Sequence, residues 1–189
     1  ARAVVLYDID GSVRLDELKG RQPPCPVYTT PTSGCDLAGY VPGTNGGLFS
    51  PQGGLRISAR GLTTVGQLLL NHGMHDGRRF LSEASIATMT QSAWRFDGGN
   101  GETDDGFYCS YGLATRSLPT STAGCRDDLF AGRAVIGHAG EAYGVRSGLW
   151  IDPRTRTGIA FFAANNGGDP PKGRSAYRAI EESLAAKLG

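Results

Sequence analysis

Polar and apolar positions alternate from Val145 to Asp152. Val145, Ser147, Leu149 and Ile151 fall on one side, and Arg146, Gly148, Trp150 and Asp152 on the other. This period-two pattern predicts a strand. Asp152-Pro153-Arg154-Thr155-Arg156-Thr157 carries turn chemistry, and residues 158–164 read as the strand returning. Just upstream, the apolar pair Val135-Ile136 enters Gly137-His138-Ala139-Gly140, which places His138 at one end of the predicted antiparallel sheet. Helical spacing appears three times. Ser58 is the predicted N-cap of a helix to about His72, closed by Gly73, with Leu62, Val65, Leu69 and the flanking Leu68 as its apolar stripe. Gly66 inside it costs about 1 kcal/mol relative to Ala, so close packing is expected there. Ser82 caps a second helix with Ile86, Met89 and an early Glu83, and Ser175 caps a third with Tyr177, Ile180, Leu184 and Leu188. Residues 3–10 and 13–18 read as a hairpin and 107–114 as a strand, while 20–47 and 115–133 read as loops. The expected fold is mixed α/β of the α+β type, an antiparallel sheet flanked by helices.

The composition narrows the function classes. A chain of 189 residues with a formal net charge of +1 lacks the basic excess of a nucleic-acid binder. Its longest apolar runs, such as residues 159–164, are too short to span a bilayer as a helix. We expect one domain over residues 1–189, with 20–47 as an irregular loop or lid. The chain opens at Ala1 directly in an apolar run, without an initiator Met, so a trimmed or processed longer polypeptide is expected.

Four cysteines, Cys25, Cys35, Cys109 and Cys125, allow three pairings, and none of their spacings matches a zinc pattern. Each of the pairs 25–35 and 109–125 brackets a loop, which favours two local disulfides and a secreted or periplasmic protein; four reduced thiols are the alternative. His72 and His75 read as turn histidines. The acidic residues of 97–106 lack the ligand spacing of a calcium loop, so no metal site is assigned. Gly46-Gly47 and Gly53-Gly54 surround one apolar turn, which fits either a tight turn or a wall where backbone approaches a ligand.

Three pieces together carry a resemblance. They are residues 50–62 with their continuation through 66–73 and 76–82, then Tyr111-Gly112-Leu113, then Gly137-His138-Ala139-Gly140 with Tyr143-Gly144-Val145-Arg146-Ser147. In order and spacing they resemble the C-terminal part of the serine β-lactamase / D-alanyl-D-alanine carboxypeptidase / esterase family, over about residues 46–189. The resemblance implies a β-lactamase/transpeptidase-like fold and acyl transfer through a serine of a Ser-x-x-Lys motif. His138-Ala139-Gly140 resembles the family's His/Lys-x-Gly motif on an edge strand beside the cleft. It assigns His138 to the electrostatics of the cleft and the Glu141 backbone N–H to the oxyanion hole, with Gly53, Gly54, Ala139 and Gly140 lining the substrate. It implies a small-molecule or peptide substrate, with peptidase, β-lactamase and esterase all open, and no cofactor.

One departure limits this. No Ser-x-x-Lys occurs in the 189 residues; Ser183 and Lys187 are one residue too far apart. Tyr108-Cys109-Ser110 matches the family's Tyr-x-Ser in letters alone. The chain is therefore expected to be the C-terminal piece of a secreted serine hydrolase, inactive alone, with the missing N-terminal segment as its partner. The alternative is a non-catalytic binding module of the same fold that recognises cell-wall peptides or related ligands.

Overall fold

A computed structural model describes residues 6–7, 10–14, 57–142, 144–164, 166 and 170–188. Apart from Ile57, all belong to one compact unit, Ala1–Leu15 with Ser58–Gly189. A four-stranded antiparallel sheet organises it, in the order β10-β9-β8-β7. The strands are β7 (Arg116–Leu118), β8 (Val135–Ala142), β9 (Val145–Asp152) and β10 (Thr157–Ala163). Short two-residue ladders pair β1 (Leu6–Tyr7) with β2 (Val13–Arg14), β3 (Met74–His75) with β4 (Arg78–Arg79), and β5 (Trp94–Arg95) with β6 (Ser110–Tyr111). The described helices are α1 (Ala59–Leu70), α2 (Glu83–Thr90) and α3 (Ala179–Ala185). The expected class, an antiparallel sheet flanked by helices, is the one observed.

Alternation along the strands sends side chains to two faces. The register pairs Gly137 with Trp150 and Gly148 with Phe161, so Val135, Trp150, Ile159 and Phe161 share a face. That face meets Leu118, Leu129, Phe130, Tyr177 and Ala185, with Leu184 and Leu188 beside them, in the larger core cluster. The opposite face carries Ile136, His138, Leu149 and Ile151, and there Leu69 and Ile86 close a second cluster. α1 lies close on this face. A Cβ at Gly66 would come 3.1 Å from Leu149 Cδ1 and 3.4 Å from Ile151 Cγ2, which is the close packing that Gly66 implies. Gly137 serves β8 in the same way, since a Cβ there would overlap the Leu149 carbonyl and Trp150.

Both early caps follow the sequence. Ser58 Oγ accepts the Gly61 N–H at 3.0 Å, and Ser82 Oγ accepts that of Ser85 at 3.0 Å. α1 closes with the Gly73 N–H donating to the Leu68 carbonyl at 2.8 Å, Gly73 taking φ +86°. Arg156, in the β9–β10 turn, donates to the Leu70 carbonyl at 3.0 Å and so places a cation at the C-terminus of α1.

Other expectations need correction. Val65 is exposed; Gly66 and Leu69 form the buried stripe, because α1 approaches the sheet over its glycine. The predicted strand 107–114 shortens to Ser110–Tyr111, and the predicted loop 115–133 contains β7. Ser175 does not cap the last helix. α3 begins four residues later after Arg178, and the Ser175 hydroxyl and N–H both donate to Glu182 Oε1. Burial of Tyr177 holds residues 173–177 in a turn, closed by Gly173 N–H to the Tyr177 carbonyl at 2.9 Å.

Two features fasten the unit. Cys109 and Cys125 form a disulfide across 16 residues, as expected, while Cys25 and Cys35 lie outside the described residues. A loop of that length is worth about 3 kcal/mol in the chain-entropy picture. Replacing both cysteines by Ala should lower the urea midpoint and raise the m-value, because the denatured chain without its crosslink exposes more surface. The second is buried Asp152, whose Oδ2 accepts Arg133 Nε at 2.8 Å. Burial alone would raise its carboxyl pKa, but Arg133 and the N–H groups of Thr155 and Arg154 outweigh it and hold the pKa well below the usual range. A depressed carboxylate adds stability that is complete above the unfolded pKa of about 3.9 and is lost as pH falls below it. Asp152→Asn should cost about 1–3 kcal/mol at neutral pH. It should also flatten the acid limb of stability below about pH 4, read by urea unfolding across a pH series.

Candidate active site

β8 changes neighbours along its length. Its first three residues pair with β7: Val135 with Leu118, Ile136 with Ser117, Gly137 with Arg116. From His138 to Ala142 it pairs only with β9 among the described residues. The strand expected at the sheet edge is thus interior at its start and, among the described residues, open from His138 onward. His138 is the first residue of the open stretch and projects, half-buried, on the face that α1 covers beside Leu149.

The β5–β6 ladder brings Tyr111 to it. Tyr111 Oη lies 2.6 Å from His138 Nε2, and the rings meet edge to face with centroids 5.6 Å apart. Tyr111 is itself held: its carbonyl accepts the Ala93 N–H at 2.8 Å, and it pairs with Trp94. Gly112 then allows the chain to pass the end of α2, since a Cβ there would overlap the Gln91 carbonyl. Ser110 fastens β6 to β7, its Oγ donating to the Ser117 carbonyl at 2.6 Å and accepting the Ser117 N–H at 3.0 Å. The Ser110 hydroxyl is fully engaged there, which accords with the reading of Tyr108-Cys109-Ser110 as a match in letters alone.

The other ring nitrogen, His138 Nδ1, bonds the Ala139 carbonyl. A carbonyl only accepts, so Nδ1 carries the proton. Burial lowers the His138 pKa most; the Ala139 carbonyl opposes this, and the positive charge of Arg116 adds to the lowering. The imidazole is neutral at pH 7, and Nε2 accepts the Tyr111 O–H.

Gly140 shares the His138 face. Its missing side chain makes room for Ser147 Oγ, which would stand 2.5 Å from a Cβ. Ala139 and Glu141 project to the other face. Ala139 packs on the Trp150 cluster, and Glu141 pairs with Arg146. Glu141 lines a polar cleft of about 220 Å³ there with Arg146, Lys172, Arg178 and Glu181. On the His138 side these two residues can offer backbone atoms only. Gly53 and Gly54, and the whole of 20–47, lie outside the described residues.

Two contributors escaped sequence reasoning. Tyr111 stands in a singled-out motif, but its bond to His138 spans 27 residues and has no local signature. Arg116 sits on β7 opposite Gly137, wholly buried. Its guanidinium lies 4.3 Å from the Phe107 ring centroid, 5.0 Å from Tyr108 and 5.7 Å from Tyr177. It donates to the Tyr177 hydroxyl at 2.9 Å and to the Phe107 carbonyl.

Comparison with protein families finds one described as Beta-lactamase, whose model matches residues 11–184. Searches of curated proteins and of solved structures return no match.

Proposed function

This chain belongs to the beta-lactamase family, and on that footing we propose that β8 forms one wall of an acyl-transfer cleft. The observation that carries this is His138 at the point where β8 leaves its ladder with β7, its ring held by Tyr111. Open strand edge beyond a fixed polar side chain is where an extended acyl substrate can lie against backbone groups. In this reading His138 sets the electrostatics of the cleft, and the Glu141 backbone N–H is one donor to the oxyanion. Gly140 keeps the wall low, the Ala139 backbone meets the substrate, and Gly53-Gly54 form a further wall.

The nucleophile and base come from residues outside these 189, since no Ser-x-x-Lys occurs among them. The substrate class is a D-amino-acid amide, a β-lactam or a small ester. The Cys109–Cys125 disulfide supports action in an oxidising compartment, secreted or periplasmic; among the described residues no helix is long and apolar enough to cross a membrane. The missing Ser-x-x-Lys also favours a second reading, a binding module of this fold for cell-wall peptides.

Intact-mass analysis after exposure to a β-lactam tests the first reading. The chain alone should gain no adduct, and the chain together with the segment that carries Ser-x-x-Lys should gain one. An adduct on the chain alone would place the nucleophile within it and overturn the division of roles. An assembled protein that binds cell-wall peptide and never acylates would establish the second reading.

A further inference from the structure

We infer that Tyr111 is the positioning residue of His138: its hydroxyl fixes the imidazole in one tautomer and one orientation at the open end of β8. The bearing of this on catalysis rests on the acyl-transfer reading above; the effect on the ring does not.

The geometry leaves the ring one arrangement. Nδ1 faces the Ala139 carbonyl and must donate, so in the neutral ring Nε2 has a lone pair and no proton. The Tyr111 oxygen at 2.6 Å from Nε2 is then the donor. The resting ring therefore holds both of its nitrogens in use and offers neither to an incoming ligand. Moving the ring proton to Nε2 would set Nε2–H against the phenol oxygen and leave Nδ1 facing the Ala139 carbonyl without a proton. Two acceptors would then oppose each other, and that repulsion locks the tautomer.

Tyr111 can serve as the anchor because its own backbone is fixed from three directions. β5 holds it through Ala93 and Trp94, Ser110 ties the preceding residue to β7, and Cys109 is disulfide-bonded two residues before it. Of the three pieces that carry the resemblance, Tyr111-Gly112-Leu113 thus gains a task of its own. Gly112 lets the strand pass α2, and Tyr111 reaches across to the third piece.

Long-range proton–nitrogen NMR spectra of the ¹⁵N-labelled chain test this without any activity. His138→Gln identifies the His138 signals by their loss. At pH 7 and above, where the imidazole is neutral, the native ring should show the Nδ1–H tautomer alone. In Tyr111→Phe, which keeps the ring stacking, the two nitrogen shifts should move toward a tautomer average. The titration midpoint should rise by about half to one pH unit, because a donor to the neutral form is gone. Tyr108→Phe, which leaves this hydroxyl in place, should change neither. An Nε2–H tautomer in the native chain overturns the inference whatever the variants do, as does a Tyr111→Phe ring with unchanged shifts and midpoint. If the ring responds as expected while His138→Ala leaves acylation by the assembled protein unchanged, the acyl-transfer reading fails and the role of Tyr111 toward the ring stands.

Discussion

Trp150→Ala should cost about 3–5 kcal/mol, the range for truncating a buried aromatic, and so remove much of the roughly 5–15 kcal/mol by which a domain is stable. Trp150 is fully buried in the middle strand pair. Its ring meets Phe130 at 5.8 Å and Tyr177 at 6.2 Å between centroids, both edge to face. It also fills the space that Gly137 and Gly148 leave open, where added Cβ atoms would come within 2.8 and 2.7 Å of it. Truncation would leave a hole between two strands, the 129–130 segment and α3, and two backbone glycines cannot collapse into it. Trp150→Phe should cost less, because the indole Nε1 has no hydrogen-bond partner among the described residues and little is lost with it. Urea unfolding of the two variants checks the order; equal losses would show that cavity size is not the cause.

Arg116→Ala is expected to cost a comparable amount, about 3–5 kcal/mol, as removal of one member of a buried charged network does. The Tyr177 hydroxyl and the Phe107 carbonyl would lose their donor in a dry interior. Three aromatic rings would lose the cation they surround. Asp127 is buried nearby, its pKa raised by burial and held back by the Thr120 N–H and by the Arg116 charge. Loss of that charge should raise it further. Arg116→Lys should not restore stability, since an ammonium lacks the planar fork that reaches the hydroxyl and the carbonyl together. Arg116→Met restores the length of the side chain against the three rings but not the charge, and because the Tyr177 hydroxyl and the Phe107 carbonyl still lack their donor it should remain destabilised. It cannot recover the field at His138, whose titration midpoint should rise. An unmoved midpoint in Arg116→Met would mean that the arginine is there for packing alone.

The sheet and its flanking helices were legible where the pattern is strictly local. The β9–β10 hairpin follows from eight alternating residues and a turn in which Asp152 Oδ1 accepts the N–H groups of Arg154 and Thr155. The two serine caps follow from a hydroxyl placed just ahead of an apolar period. β7 was not legible, because Arg-Ser-Leu has no strand pattern. Its place is set by a ladder to residues 135–137 and by rings that accept a buried guanidinium. Ser175 has the letters of a cap and fails as one, since Glu182, seven residues on, takes its hydroxyl. His138 was legible as a residue and its position along β8 only partly, because the place where β7 stops is a tertiary fact. Tyr111 was visible in a motif and silent about its partner for the same reason.

The rate of acylation by the assembled protein with His138 replaced by Ala tests the central claim most directly, followed by intact mass with a β-lactam or an activated acyl ester. The neutral imidazole, both of its nitrogens in use, acts through its dipole and the hydroxyl it orients, so the expected rate is on the order of tenfold lower at unchanged folding stability, a barrier increase of about 1.4 kcal/mol. An unchanged rate in an equally stable variant would contradict it.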